Sequence, residues 1–281
     1  PKGRQQILTE TPVKQVGKKY NLKVIEIQNL NLKSQNENLK LKIKNFDLCL
    51  VYAFSQIIPK NLLELPKLGF WNIHPSLLPK YRGPSPIVYP LIFGEKETGV
   101  TIFKMDEKID HGPIIAQKKI KIEESDRRPD LEKKLTDLGF NLFKKTVFNK
   151  DSLYIKQYKK QNDKIATYSK LLKKQDGFIP LSTLKKALKN EPLEFEELPP
   201  ILKEIRNWKL EIRNSSEIFY NYFRGLYPWP GLWTILPNGK RLKIIDMNFG
   251  VTRSTLHVTR VQLEGKKEVD FETFNRAYRL F

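Results

Sequence analysis

Asn72 and His74 stand two positions apart in Phe70-Trp71-Asn72-Ile73-His74-Pro75-Ser76. On a strand that spacing sends both side chains out of the same face, where they can converge on one atom. Further along, Met105-Asp106-Glu107-Lys108-Ile109-Asp110-His111-Gly112-Pro113 reads as a polar loop in which Asp110 comes just before a Gly-Pro break. An amide, an imidazole and a carboxylate are the parts of a site that moves a proton and steadies a developing oxyanion. Asn72 would donate, His74 would act as acid or base, and Asp110 would orient the ring. Each also has an ordinary reading, since strand-end histidines commonly pack as structural residues and an Asp near Gly commonly forms a turn.

Such residues need strand ends that face a crevice. Asp47 to Phe54 is a continuous apolar stretch, Pro59 opens a helical stretch through Leu68, and Gly69 leads into a strand from Phe70 to His74. Thr98 to Met105 and Ile114 to Ile122 read as two more strands. Pro129 suits the first turn of a helix whose Leu131, Leu135, Leu138 and Leu142 share one face. Pro90 interrupts the helix expected after Pro86 and predicts a kink or early stop. Alternating strands and helices predict an α/β domain: a mostly parallel sheet with helices on both faces and ligands at the carboxyl ends of its strands.

From Tyr158 to Pro200 the chain turns to Lys, Asn and Gln and closes on Pro199-Pro200, the composition of a solvated connector. Beyond it, Ser215 or Ser216 can cap a helix with Ile218, Phe219, Tyr222 and Phe223 on its apolar side and Gly225 as its stop. Trp233 to Leu236, a turn at Asn238-Gly239, Arg241 to Ile245 and Thr255 to Leu263 predict a small antiparallel β-barrel.

The 281 residues suffice for two domains at about 150 residues each. Lysine and arginine number 51 against 31 acidic residues, a net charge of +20 that draws polyanions and makes nucleic acid the first partner to consider. The single cysteine, Cys49, excludes an internal disulfide framework and fits a reducing compartment; its apolar surroundings predict a buried, inert thiol. That apolar run is too short and too polar to span a membrane, and no signal peptide is expected before it. Three histidines and one cysteine without ligand spacing offer no metal site, and no glycine-rich phosphate loop is present.

Asn72-Ile73-His74-Pro75-Ser76-Leu77-Leu78-Pro79-Lys80-Tyr81-Arg82-Gly83, followed by Thr98-Gly99-Val100-Thr101 and by Asp106 through Gly112-Pro113, resembles the folate-dependent formyltransferase family. The catalytic Asn, His and Asp of that family fall on Asn72, His74 and Asp110. Pro1-Lys2-Gly3-Arg4 with Thr11-Pro12-Val13-Lys14 is similar to the basic loop by which its methionyl-tRNA-formylating branch grips the acceptor end of initiator tRNA. Tyr222 through Gly231 and Gly239 through Ile244 resemble the opening of that branch's oligonucleotide-binding (OB) barrel, and Gly265-Lys266-Lys267 and Phe274 through Tyr278 its close. The resemblance implies a Rossmann-like catalytic domain over 1–164, a basic linker over 165–200 and an OB-like tRNA-binding domain over 201–281. A family member would start with one further strand and a Gly-Thr-Pro loop, so an amino-terminally incomplete chain is expected, with part of the active-site floor missing. Ser55 stands where Gly is frequent and His111 where Thr is common.

The implied reaction carries a formyl group from 10-formyltetrahydrofolate, as co-substrate and without a metal, to the amino group of methionyl-tRNA. Asn72 would donate to the oxyanion, and Asp110 would hold His74 and favour its charged form; either His74 or Asp110 could first take the amine proton. The pterin wall is expected at Tyr52, Ala53, Ser55 and Ile57 together with Ser76, Leu77, Leu78 and Pro79. For RNA, Lys2, Arg4 and Lys14 would form a flexible arm and Lys80 and Arg82 would follow the active-site strand. Arg206, Arg213, Arg224, Lys240 and Arg241 would meet phosphates from the barrel side. Tyr227, Trp229 and Trp233 read better as barrel core than as stacking platforms. A cytoplasmic monomer acting on initiator methionyl-tRNA is expected. Two alternatives stand: an aminosugar-nucleotide N-formyltransferase, which shares the trio but does not need this charge, and an RNA-binding homologue whose folate site has decayed.

Overall fold

The computed structural model describes residues 10–24, 37–54, 56–148, 158–203, 215–249 and 255–281. Helix α1 (Pro12–Lys19) starts where the Thr11 hydroxyl accepts the Lys14 amide and Pro12 takes the first helical position. Lys14 therefore belongs to a helix, 3.3 Å from Glu10, and not to the flexible arm expected.

Four strands form the sheet that carries Asn72 and His74, in the order β1 (Cys49–Val51), β2 (Phe70–His74), β3 (Glu97–Lys104) and β4 (Ile114–Lys121). The β1–β2 pair is parallel, while β2–β3 and β3–β4 are antiparallel, so the described sheet is mixed and not mostly parallel. The loop from Met105 to Pro113 leaves no room for the crossover of about a dozen residues that a parallel β3–β4 pair would need.

Both faces of the sheet are covered. Val51 and Phe70 pack with Ile43 of α2 (Glu37–Lys44) and with Leu62 and Leu63 of α3 (Lys60–Leu63), which begins just after Pro59. Trp71, Ile73, Val100 and Ile102 face the other way, onto Leu131 and Leu135 of α5 (Arg128–Phe148). Burying side chains of this size contributes about 1.5–3 kcal/mol each, which fixes the strand's orientation. Gly139 permits the close seat of α5, since a Cβ there would come 2.9 Å from Ile73 Cγ2. With Trp71 and Ile73 committed to α5, alternation delivers Asn72 and His74 to the opposite face. Helix α4 (Val88–Ile92) contains Pro90 and runs for only five residues, as an early stop requires.

A second core is built by α6 (Leu181–Leu188), α7 (Pro200–Lys203), α8 (Ser215–Leu226), α9 (Phe271–Tyr278) and the strands β5 (Leu232–Ile235), β6 (Arg241–Phe249) and β7 (Leu256–Leu263), with an exposed fourth strand, β8 (Glu268–Asp270), at the edge of their sheet. These strands pair antiparallel in chain order, and Gly239 adopts φ +77° in the turn between β5 and β6. The stretch expected to be a solvated connector is packed: Leu172, Ile179, Leu184 and Ala187 are buried with Phe219, Tyr222 and Leu232. Its lysines hid an apolar spacing, for Leu184 and Ala187 bracket Lys185 and Lys186 on α6. Tyr81, Tyr89 and Ile92 join the same core, which ties the first sheet's loops to the second unit. Gly225, expected to stop α8, lies inside it; a Cβ would stand 2.6 Å from Ile92 Cγ1 and 3.1 Å from the Val88 carbonyl. Close approach to α4, not helix termination, accounts for this glycine. Trp229, expected in the core, is 50% exposed. No helix among the described residues is long and apolar enough to cross a membrane.

Candidate active site

The turn after β2 brings His74 to Asp110. The ring is 4% exposed, its Nε2 lies 3.0 Å from the Tyr81 carbonyl, and its Nδ1 faces Asp110 Oδ2 at 3.6 Å. A carbonyl can only accept, so Nε2 carries the proton and Nδ1 keeps its lone pair. Phe103 packs against the imidazole at 6.5 Å, ring edge to ring face. Burial is the largest influence on this ring and pulls its pKa below the ordinary 6.5, while Asp110 and the Tyr81 carbonyl pull the other way. Asp110 therefore favours the charged ring as expected, but burial outweighs it and the net shift is toward the neutral imidazole. Asn72 leaves the same face of β2, is partly exposed, and has no side-chain hydrogen-bond partner among the described residues.

Asp110 is held from several directions. Its φ of 46° is left-handed, and at Gly112 a Cβ would fall 1.8 Å from the Lys104 carbonyl, so only glycine lets the loop fold back onto β3. Asp110 Oδ2 accepts the Gly83 amide at 2.7 Å. Gln161 Nε2 donates to the carbonyls of Asp110 at 2.9 Å and Gly112 at 2.8 Å, while its Oε1 accepts from Arg82 Nε at 3.1 Å and Nη2 at 2.9 Å. Thr167 Oγ1 accepts the Tyr81 amide at 2.8 Å, and Ser169 Oγ accepts the Ser85 amide at 3.0 Å. The segment 158–169 is thus a strap across the site. Gln161, Thr167 and Ser169 were missed in the sequence because polar residues scattered among lysines carry no periodicity or motif to mark them.

The expected pterin wall divides. Ser76 and Leu78 are buried and build the loop: Ser76 Oγ donates to the Lys80 carbonyl, and Thr101 Oγ1 donates to the Ser76 carbonyl while accepting the Leu78 amide. Tyr52 is directed away from Asn72, its hydroxyl 3.0 Å from Thr136 on α5. Ala53 is exposed at φ 49°, Ile57 is exposed, and Leu77 and Pro79 are partly exposed. Ser55 lies outside the described residues, as do Lys2, Arg4, Arg206 and Arg213.

Two of the expected phosphate contacts are internal. Arg82, 1% exposed, spends its guanidinium on Gln161, Asp163 and Tyr168. Arg224, 4% exposed, donates to the carbonyls of Glu123 and Asp126 and to Asn221. Buried guanidinium groups with every donor directed inward do not reach RNA. Lys80 pairs with Glu95 at 3.1 Å, an acid that also accepts the Tyr81 hydroxyl. Burial first, and Glu95 second, push the Tyr81 phenol far up, so it stays neutral. Lys240 is exposed, and Arg241 stands 3.9 Å from Glu264.

A family model described as formyl transferase matches residues 1–147. A methionyl-tRNA formyltransferase of Caldicellulosiruptor saccharolyticus is 33% identical over 305 aligned positions, covering 100% of this chain and 86% of that protein. One from Geobacter metallireducens is 31% identical, covering 100% of this chain and 85% of its own, and one from Staphylococcus epidermidis is 35% identical, covering 88% and 68%. Among solved structures, a 4-N formyltransferase from Francisella tularensis superposes with a TM-score of 0.55 at 22% identity, covering 82% of this chain and 79% of that one. An N-formyltransferase from Helicobacter canadensis, in complex with folinic acid and dTDP-3-aminofucose, gives 0.52 at 22% identity over 84% and 70% of the two chains. At that identity the two structures establish a shared fold.

Proposed function

We propose, since this chain belongs to the methionyl-tRNA formyltransferases of the formyl transferase family, that it carries a formyl group from 10-formyltetrahydrofolate to the free amino group of initiator methionyl-tRNA. The observation that carries this reading is the buried His74 facing Asp110 on the strand face that also presents Asn72.

The residues suit a folate donor. The Asn72 amide is without a partner among the described residues, and Ile57 and Ile109, 77% and 61% exposed, offer apolar surface on segments that the Lys60–Glu107 pair draws together at 3.8 Å. When bound, such a donor supplies the carbon under attack and a nitrogen leaving group. The attacking amine must be uncharged, and attack places negative charge on the formyl oxygen. Asn72 donates its side-chain N–H to that oxygen, an interaction whose loss typically costs about 2.7–4 kcal/mol of transition-state stabilisation. His74 Nδ1 takes the amine proton, because the Nε2 proton is already committed to the Tyr81 carbonyl. Asp110 Oδ2 then faces a charged ring in a site poor in water, where its attraction is strongest. Nδ1 can hand the same proton on to the nitrogen that leaves the formyl carbon, so the His74 ring ends neutral as it began.

The net charge of +20 and the exposed Lys240 support an RNA substrate. In this reading the second sheet forms an OB-like barrel that holds the body of the tRNA, and the chain acts as a cytoplasmic monomer. The test is to offer 10-formyltetrahydrofolate with either methionyl initiator tRNA or an aminosugar nucleotide and detect formylated product by mass spectrometry. Formyl-methionyl-tRNA as the product supports the reading, and formylation confined to the sugar overturns it.

A further inference from the structure

We propose that His111 is a positioning residue for Asp110, a role that rests on the formyl-transfer reading above. His111 follows Asp110 directly, and its ring is held at both ends: Nδ1 lies 2.6 Å from Asp106 Oδ2 and Nε2 lies 3.4 Å from Asp163 Oδ2. Asp106 opens the same loop, where its other oxygen accepts the Lys108 amide at 3.0 Å. Asp163 belongs to the strap, and its other oxygen accepts from Arg82 Nη2 at 2.8 Å. A single imidazole therefore joins the Asp110 loop to its own first turn, to the strap and, through Asp163, to the arginine that follows the active-site strand. Each ring nitrogen faces a carboxylate, which only accepts, so whichever nitrogen carries a proton has a partner in place. The hydrogen bond from Arg82, reinforced by that from His111, holds the Asp163 carboxyl below its usual range and keeps this anchor charged.

Asp110 needs such support. A left-handed backbone at a residue other than glycine persists where its neighbours hold it in place. Gln161 restrains the carbonyls on either side of His111, those of Asp110 and Gly112, while the side-chain contacts of His111 restrain the residue between them. Its two nitrogens both face carboxylates of the protein, so the ring acts through Asp110 and not on the substrate. The carboxylate of a catalytic pair has to hold its place to within about 0.5 Å, a tolerance that a free loop tip does not meet.

The experiment measures kcat, KM for both substrates and the titration of the His74 ring by NMR in the parent chain, in His111→Ala and in His111→Asn. His111→Ala is expected to lower kcat roughly ten- to hundred-fold with both KM values within about two-fold of the parent. It should also move the His74 titration downward, because Asp110 no longer stands close enough to raise it. His111→Asn, which can still donate to Asp106, should recover most of kcat. A parent-like kcat in His111→Ala, or a His74 titration that does not move, overturns the proposal. Should His111→Ala fail to fold, Asp163→Asn, which alters a half-exposed carboxylate, is expected to reproduce the same pattern, and normal kcat there overturns it equally. If the parent transfers no formyl group while the His74 titration still responds to His111, the formyl-transfer reading fails and the positioning role stands.

Discussion

His74 Nδ1 and Asp110 Oδ2 stand 3.6 Å apart, beyond hydrogen-bond reach but within range for charge to be felt. The opposite ring nitrogen is fixed on the Tyr81 carbonyl, so the one proton position left to change is the one that faces Asp110. In the proposed reaction that arrangement makes His74 a base with a waiting counter-charge, and its consequences can be measured.

The first concerns pH. Burial holds the folded His74 pKa below its ordinary 6.5, so between the two values the unfolded chain binds more protons than the folded one. Stability from the neutral ring is present above pH 6.5 and is lost as pH falls through the folded value. The proposed transfer needs the same neutral form, so kcat/KM should decline on the acid side below pH 6.5, with an apparent pKa that belongs to the His74–Asp110 pair. Asp110→Asn removes the pull that raises His74, so the acid limb should move to lower pH even as the rate falls. Rate profiles of parent and variant provide the check, and coincident limbs would contradict it.

The junction between α4 and α8 gives a second expectation. Gly225→Ala places a Cβ 2.6 Å from Ile92 Cγ1 and 3.1 Å from the Val88 carbonyl, and a backbone oxygen cannot rotate away. Overpacking of this kind costs about 1–3 kcal/mol, which urea unfolding would register as a lower midpoint with an unchanged slope. Full parental stability would mean that the two helices are not packed as described.

Charge distribution supplies a third. Lys240→Ala should weaken tRNA binding and lower the slope of log affinity against log salt by about one, the effect of losing one phosphate contact. Arg82→Ala and Arg224→Ala should instead lower the unfolding temperature, since each leaves buried acceptors unpaired. Their salt slopes should match the parent, and a reduced slope in Arg82→Ala would return that residue to the RNA surface.

These residues show where the sequence was legible. The strand opened by Gly69 and the Asn-x-His spacing identified β2 and the face carrying Asn72 and His74, and burying Trp71 and Ile73 against α5 fixes that register. The antiparallel direction of β3 and β4 was legible in the short Met105–Pro113 connection but was not drawn from it, because alternating strands and helices pointed to a mostly parallel sheet. The strap was missed for a different reason: Gln161 acts through its two amide ends on partners far away in the chain, Arg82 and Asp110, and nothing local distinguishes it from a surface glutamine. Charge counting failed at Arg82 and Arg224 because it reports the sign of a side chain and not its depth.

The central claim, that Asn72, His74 and Asp110 act together on one carbonyl, is tested most directly by single-turnover formyl transfer to methionyl-tRNA with tRNA affinity measured alongside. The account predicts that Asn72→Ala slows the chemical step about 10²–10³-fold, that His74→Ala and Asp110→Ala each reduce it at least as far, and that all three bind tRNA like the parent. Any one of the three transferring formyl at the parental rate would contradict it.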